Sequence, residues 1–174
     1  MTKTYYFRRK VLSSRGISTL KDANGNVCYI LSGRWGMMPA VLEVYDINDH
    51  RLAQIRQCSL GLLPKFELYN EYRQKVGSLR RYYHVGAEIH FVSGLNWVIL
   101  GNSLNLNYKV FHGRELIMVV TQLNDFTSLQ ITASEYEPIC ICLAVILDFW
   151  SKTPIQGTFK NFQLNHKFGQ LNSL

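Results

Sequence analysis

The chain has 174 residues, 47% of them apolar and 13% aromatic, and 19 Lys plus Arg against 12 Asp plus Glu give it a formal charge of +7. That length suits one domain, and the aromatic content excludes a disordered chain, which would carry fewer rings and more charge. The positive balance favours an anionic partner, either lipid or nucleic acid, without choosing between them.

From the N-terminus, "MTKTYYFRRKVLSS" lacks the apolar core and cleavage site of a secretory leader. It reads as a strand over Tyr5–Leu12 that carries Arg8, Arg9 and Lys10. Hairpin-like units follow. "STLKDANGNVCYIL" turns at Asn24-Gly25, the strongest short hairpin signal. "VLEVYDINDHRLAQIR" turns near Asn48-Asp49, "KFELYNEYRQKVGSL" around Asn70-Glu71, and "NYKVFHGRELIMVV" around His112-Gly113. An apolar run, a polar turn and an alternating return recur each time, which predicts an antiparallel meander rather than βα units. Gly, Pro or Asn breaks the stretches between, such as "SGRWGMMPA" and "CSLGLLPK". With Ala87–Val92, Trp97–Gly101 and Phe126–Thr132 added, the pattern amounts to about twelve strands.

One segment is helical, "YEPICICLAVILDFW" from Tyr136 to Trp150, in which Asp148 is the only charge after Ile139. A membrane-crossing helix needs about 20 apolar residues, so this one is too short. Pro138 suits a first helical turn, and Glu135 and Glu137 suit the positive end of its dipole. Ser134 and Glu137 also have capping-box spacing, a register that would push Pro138 to where its ring begins to clash. A helix apolar on all sides must be covered on all sides. The predicted fold is therefore mainly β: a closed, mostly antiparallel barrel around one central hydrophobic helix, which also leaves no sheet edge exposed. Residues 1–150 form one domain, and 151–174 are a C-terminal extension expected to be partly disordered.

In their order, these motifs resemble the LURP-one-related family of the tubby C-terminal-like superfamily. "KVLSSRGISTLKDANGNVCYILSG" is similar to the family's opening. "VLEVYDINDHRLAQIRQCSLGLLPKFELY" is similar to its second unit, with the Leu-Leu-Pro step before an aromatic strand. "QKVGSLRRYY" falls where relatives often carry a basic cluster, and "ICLAVILDFW" resembles the terminal apolar helix. The resemblance covers roughly residues 5 to 150 and implies a twelve-stranded barrel around a central helix. It also implies a membrane connection, since the tubby branch binds phosphoinositide headgroups and the scramblase branch acts at membranes. No ligand residue of those branches maps individually onto this chain.

Catalytic signatures are missing: no G-x-S-x-G, P-loop or H-E-x-x-H appears. Cys28, Cys58, Cys140 and Cys142 lack the paired C-x2-C spacing of a metal site and read as free thiols in a reducing cytoplasm. His84 and His90 sit six apart with Glu88 between them, but no further ligand stands out. His50, His112 and His166 fall at turns or in the tail. Asp148 could be paired with an Arg at the barrel mouth, exposed there, or functional, and a structural role is the plainer reading. The basic residues Lys75, Arg80 and Arg81, flanked by Tyr82 and Tyr83, and Arg8, Arg9 and Lys10 are the anion-binding candidates. Alternation puts Arg80 and Arg81 on opposite faces, and a solvated barrel exterior is the plainer reading of all six. The expectation is a non-enzymatic binding module without cofactor or metal, cytoplasmic and peripheral to the membrane, for anionic phospholipid headgroups. A nucleic-acid-binding or regulatory protein is the alternative, and a small-ligand carrier or enzyme the second.

Overall fold

The computed structural model describes residues 1–9, 16–34, 40–59, 64–80, 88–102 and 104–152. Twelve strands close into one barrel in which every neighbour is antiparallel. They are β1 (Lys3–Arg8), β2 (Gly16–Lys21), β3 (Val27–Arg34), β4 (Val41–Tyr45), β5 (Arg51–Gln57) and β6 (Lys65–Asn70), then β7 (Lys75–Arg80), β8 (Glu88–Ser93), β9 (Trp97–Asn102), β10 (Asn107–His112), β11 (Glu115–Leu123) and β12 (Phe126–Ile131). The order around the wall is the order in sequence, and β1 closes the ring between β2 and β12.

Three turns share one chemistry at intervals of 24 residues. The side-chain oxygens of Asp22, Asp46 and Asn70 each accept backbone N–H groups two and four residues on, at 2.8–3.1 Å. The fourth residue of each turn is left-handed: Gly25 at φ 84°, Asp49 at 67° and Arg73 at 62°. The recurrence visible in the sequence is thus a repeated Asx-anchored hairpin.

Alternate residues point inward, as period-two strands require. Phe7, Leu20, Leu31, Leu42, Val44, Ile55, Phe66, Leu68, Leu79, Trp97, Ile99, Tyr108, Val110 and Leu129 are all buried. They surround α1 (Glu137–Lys152), which follows a 3-10 turn at Ser134–Tyr136. Cys140 to Leu147 are at most 1% exposed, so the helix occupies the interior the strands enclose. Cys140 and Cys142 are free and buried, and burial pushes both thiols up.

The helix start differs from a capping box. Pro138 is its second residue and meets no hydrogen-bonding demand there. Glu137 is claimed by the barrel instead: it is 3% exposed and accepts hydrogen bonds from Lys3 Nζ at 2.7 Å, Tyr29 at 2.6 Å and Tyr5. Of the predicted Tyr5–Leu12 and Ala87–Val92 strands, Lys10–Leu12 and Ala87 lie outside the described residues, as does the chain from 153 onward.

A candidate functional site at the arginine rim

Because every neighbouring pair is antiparallel, all odd strands finish at one end of the barrel. The helix points the same way. Its first carboxylate, Glu137, meets Lys3 at the start of β1, and a second, Asp148, meets Arg9 just beyond the end of β1. Eleven helical residues rise about 16 Å. Six strand residues span about 20 Å, which a barrel tilt near 40° projects to about the same axial length. One strand therefore holds both ends of the rod.

Glu137 is held below the usual carboxylate range. Burial opposes its charge, but hydrogen bonds from Lys3, Tyr29 and Tyr5 outweigh that cost. The same cluster raises the Tyr5 and Tyr29 phenols, by burial first and by the adjacent carboxylate second. Asp148 is 3% exposed and accepts from Thr127 Oγ1 at 2.8 Å and Arg9 Nε at 3.3 Å. Arg9 also donates to Ser151 Oγ at 3.0 Å. A cation at the last helical turn meets the negative end of the dipole, which favours this arrangement.

At the opposite end, the turn end, acids accompany the bases: Asp22, Asp46, Asp49, Glu71 and Glu115 lie on or beside the hairpins. At the end where odd strands finish, Asp125 lies in the β11–β12 turn beside Arg9 and Glu88 opens β8, but among the described residues arginines predominate. Arg8 closes β1, Arg34 closes β3, Arg56 is the penultimate residue of β5, and Arg80 closes β7. All four are exposed, and none has an ion pair among the described residues. The register places three of them, Arg34, Arg56 and Arg80, on the outer face of β3–β7. Arg34 lies beside Val41, Val41 beside Arg56, and Lys65 is directly opposite Arg80. Lys65 opposite Arg80 is a like-charge pair that costs stability, relieved in part by the Lys65–Glu67 ion pair at 3.1 Å, and Arg56 stands opposite Glu67 on β6.

Two seams in the wall are weakly laddered. Among the described residues, β1 and β2 share one registered pair, Tyr6 with Lys21, and β7 and β8 share two, whereas every other neighbour shares five or six. The seams lie on opposite sides of the ring, and Arg8 and Arg80 each end a strand beside one. At the β1–β2 seam a cleft of about 430 Å³ is lined by Arg8, Lys21, Ser18, Thr19, Ile17 and Phe126.

The anion candidates therefore separate. Arg8 and Arg80 are on the rim but half the ring apart, so no single pocket joins them. Arg9 is committed to Asp148. Lys75 lies toward the turn end and donates to Glu67 at 2.6 Å, a carboxylate that also accepts from Tyr69 at 2.8 Å and Cys58 at 3.2 Å and lies 3.1 Å from Lys65. These bonds, from Lys75 first, hold Glu67 far below the usual range. Lys10 and Arg81 lie outside the described residues. Sequence reading missed Arg34, Arg56 and Lys21. The available signal was the hairpin recurrence, since β1, β3, β5 and β7 all finish at or next to an arginine.

Among the histidines, His90 is fully buried against Trp150, with ring centroids 5.2 Å apart, and lies 3.2 Å from Glu88. Tyr108 donates to the same carboxylate at 2.7 Å. His50 pairs with Asp46 at a turn, at 3.2 Å. His84 and His166 lie outside the described residues. No group of three or more His, Cys, Asp or Glu side chains gathers as a metal site among the described residues, and no described helix is long and apolar enough to cross a membrane.

The family model described as LURP-one-related matches residues 3–148. The chain belongs to the LURP-one-related family. It is 24% identical over 153 residues to the uncharacterized protein YxjI of Bacillus subtilis (strain 168), covering 82% of this chain and 90% of that one. An X-ray structure of a protein from Arabidopsis thaliana superposes with a TM-score of 0.59 at 15% identity, over 85% of this chain and 90% of the other. That likeness shows that the fold is shared. As a LURP-one-related protein the chain matches from the start of β1 to Asp148, so both helix clamps fall within the matched residues.

Proposed function

We propose that this LURP-one-related protein is a non-enzymatic binding module that docks its arginine rim onto anionic phospholipid headgroups at a membrane surface. The observation that carries the reading is the set of four exposed arginines, Arg8, Arg34, Arg56 and Arg80, gathered by strand direction at one end of the barrel. Arginine forks suit phosphate oxygens, and a basic surface near anionic lipid gains about 1 kcal/mol per cation. The β1–β2 cleft supports the same reading, because its volume of about 430 Å³ suits a headgroup and Arg8, Lys21, Ser18, Thr19 and Tyr6 are among the residues that line it. The helix-filled interior, whose inward carboxylates Glu137 and Asp148 are engaged in holding the helix, supports a binding rather than a catalytic role.

Flotation of the full chain with phosphatidylcholine vesicles, with and without phosphatidylserine, tests the proposal. Binding is expected only to the anionic vesicles, and it should weaken as salt rises. No binding to anionic vesicles at low salt would overturn it. So would a complex with RNA or DNA formed in preference to the vesicles.

A further inference from the structure

The outer surface of the barrel is chemically two-sided. Around β4–β7 it carries the charged networks of Glu43 and Glu67. Around β8–β10 it is apolar. Ile89 faces Leu100 and Phe91 faces Val98 across β8 and β9, and Val98 faces Phe111 across β9 and β10. Ile89 is 45% exposed, Phe91 56% and Leu100 41%. Isolated exposed apolar residues are ordinary, but a contiguous block on three strands marks a contact surface. Beyond Asn102 and Asn107 at the rim end, Leu104, between β9 and β10, is 81% exposed.

Its polar features indicate what covers it. Lys109 lies opposite Leu100 inside the apolar block, and continuing the β7–β8 register by one step sets Arg80 level with Phe91. Lys109 lines an open hollow of about 320 Å³ together with Asn102, Asn105 and Asn107. In a closed barrel Lys109 guards no free edge, so protection against strand pairing does not explain it. Face-to-face packing with a second copy would bury the Lys109 ammonium in an apolar contact without a phosphate-like counter-charge, which is costly. An anionic lipid surface meets every demand: headgroup oxygens for Lys109, Arg80 and the asparagine amides, and the acyl boundary for the rings and aliphatic chains.

We infer that the rim-end part of the β8–β10 wall and the Leu104 tip insert into the headgroup–acyl boundary of an anionic bilayer, so that the arginine rim stays against the headgroups with this side of it deepest. The inference rests on the membrane-docking reading and adds an apolar, salt-resistant component to it. The test floats the full chain with phosphatidylcholine–phosphatidylserine vesicles at about 0.01 M and about 1 M salt, where the screening length falls from about 30 Å to about 3 Å. The native protein should keep a bound fraction at high salt. A variant with Ile89→Ser, Phe91→Ser and Leu104→Ser should lose that fraction by tenfold or more and keep its low-salt binding, with unchanged circular dichroism. As a second readout, a Leu104→Trp variant should shift its emission to the blue when vesicles are added. Low-salt binding that vanishes entirely at high salt, or a serine variant that binds like the native chain at high salt, would overturn the insertion and leave electrostatic docking standing. No binding at either salt removes both. A native dimer that the serine variant abolishes, in sedimentation without lipid, would assign the wall to self-association instead.

Discussion

Arg8 and Arg9 adjoin in sequence, yet the first is exposed and the second lies against the buried Asp148. Alternation along β1 and the end of the helix produce this difference, so the two should respond oppositely to substitution. Arg9→Ala is expected to cost about 2–3 kcal/mol in urea denaturation, somewhat below the range for a fully buried pair, because Arg9 keeps some contact with water. It should leave vesicle binding of the folded protein unchanged. Arg8→Ala should do the reverse. At the other end of the helix, Glu137 supplies a pH signature. Its folded pKa lies below its unfolded value of 4.5, so the unfolded chain binds more protons on the acid side. That stability is present above pH 4.5 and is lost as pH falls through the folded value. Tyr5 and Tyr29 are shifted up from 10.0, so their contribution is present below pH 10 and is lost at higher pH. Urea midpoints measured across pH should therefore fall on both sides, and Glu137→Gln should flatten the acid limb. In the sequence, Asp148 was legible as one charge in an apolar run, with paired, exposed and functional roles all open. Which arginine pairs with it was not legible, because that depends on tilt and register that pattern alone does not fix.

Among elements, the 24-residue hairpin recurrence makes an internal comparison possible. Gly25, Asp49 and Arg73 occupy equivalent left-handed positions, where a side chain is unfavourable by about 1–2 kcal/mol. Arg73→Gly should therefore raise stability by up to about 1 kcal/mol, and Gly25→Ala should lower it by about as much, both read from thermal midpoints. Gly101 answers to close approach instead: a Cβ there would lie 2.3 Å from the Asn107 carbonyl and 2.4 Å from the Tyr108 ring. Gly101→Ala should cost about 1–3 kcal/mol by overpacking the β9–β10 pair. The hairpins were readable because turn residues carry their own chemistry at short range. The weak β1–β2 and β7–β8 seams were not, because alternation sets which face a residue takes but not where a ladder stops. The helix was readable as an apolar block, although its Ser134–Glu137 spacing suggested a local cap where a long-range contact to Lys3, Tyr5 and Tyr29 forms.

For the molecule as a whole, closure and antiparallel order convert a scattered positive charge into a directional one. Read along the chain, Arg8, Arg34, Arg56 and Arg80 look dispersed; in the ring they share one end. The barrel and its central helix could be inferred from strand count and from an apolar segment too short for a bilayer. The rim could not, because its coherence appears only once strand direction is assigned. The measurement that tests this directly compares two charge reversals of equal size in anionic-vesicle flotation at low salt. Arg8→Glu with Arg80→Glu alters the rim, and Arg73→Glu with Arg114→Glu alters the turn end by the same net charge. If the rim is the docking surface, the first variant loses binding and the second retains most of it. Equal loss in both would mean that net charge alone drives association and would contradict a directional site.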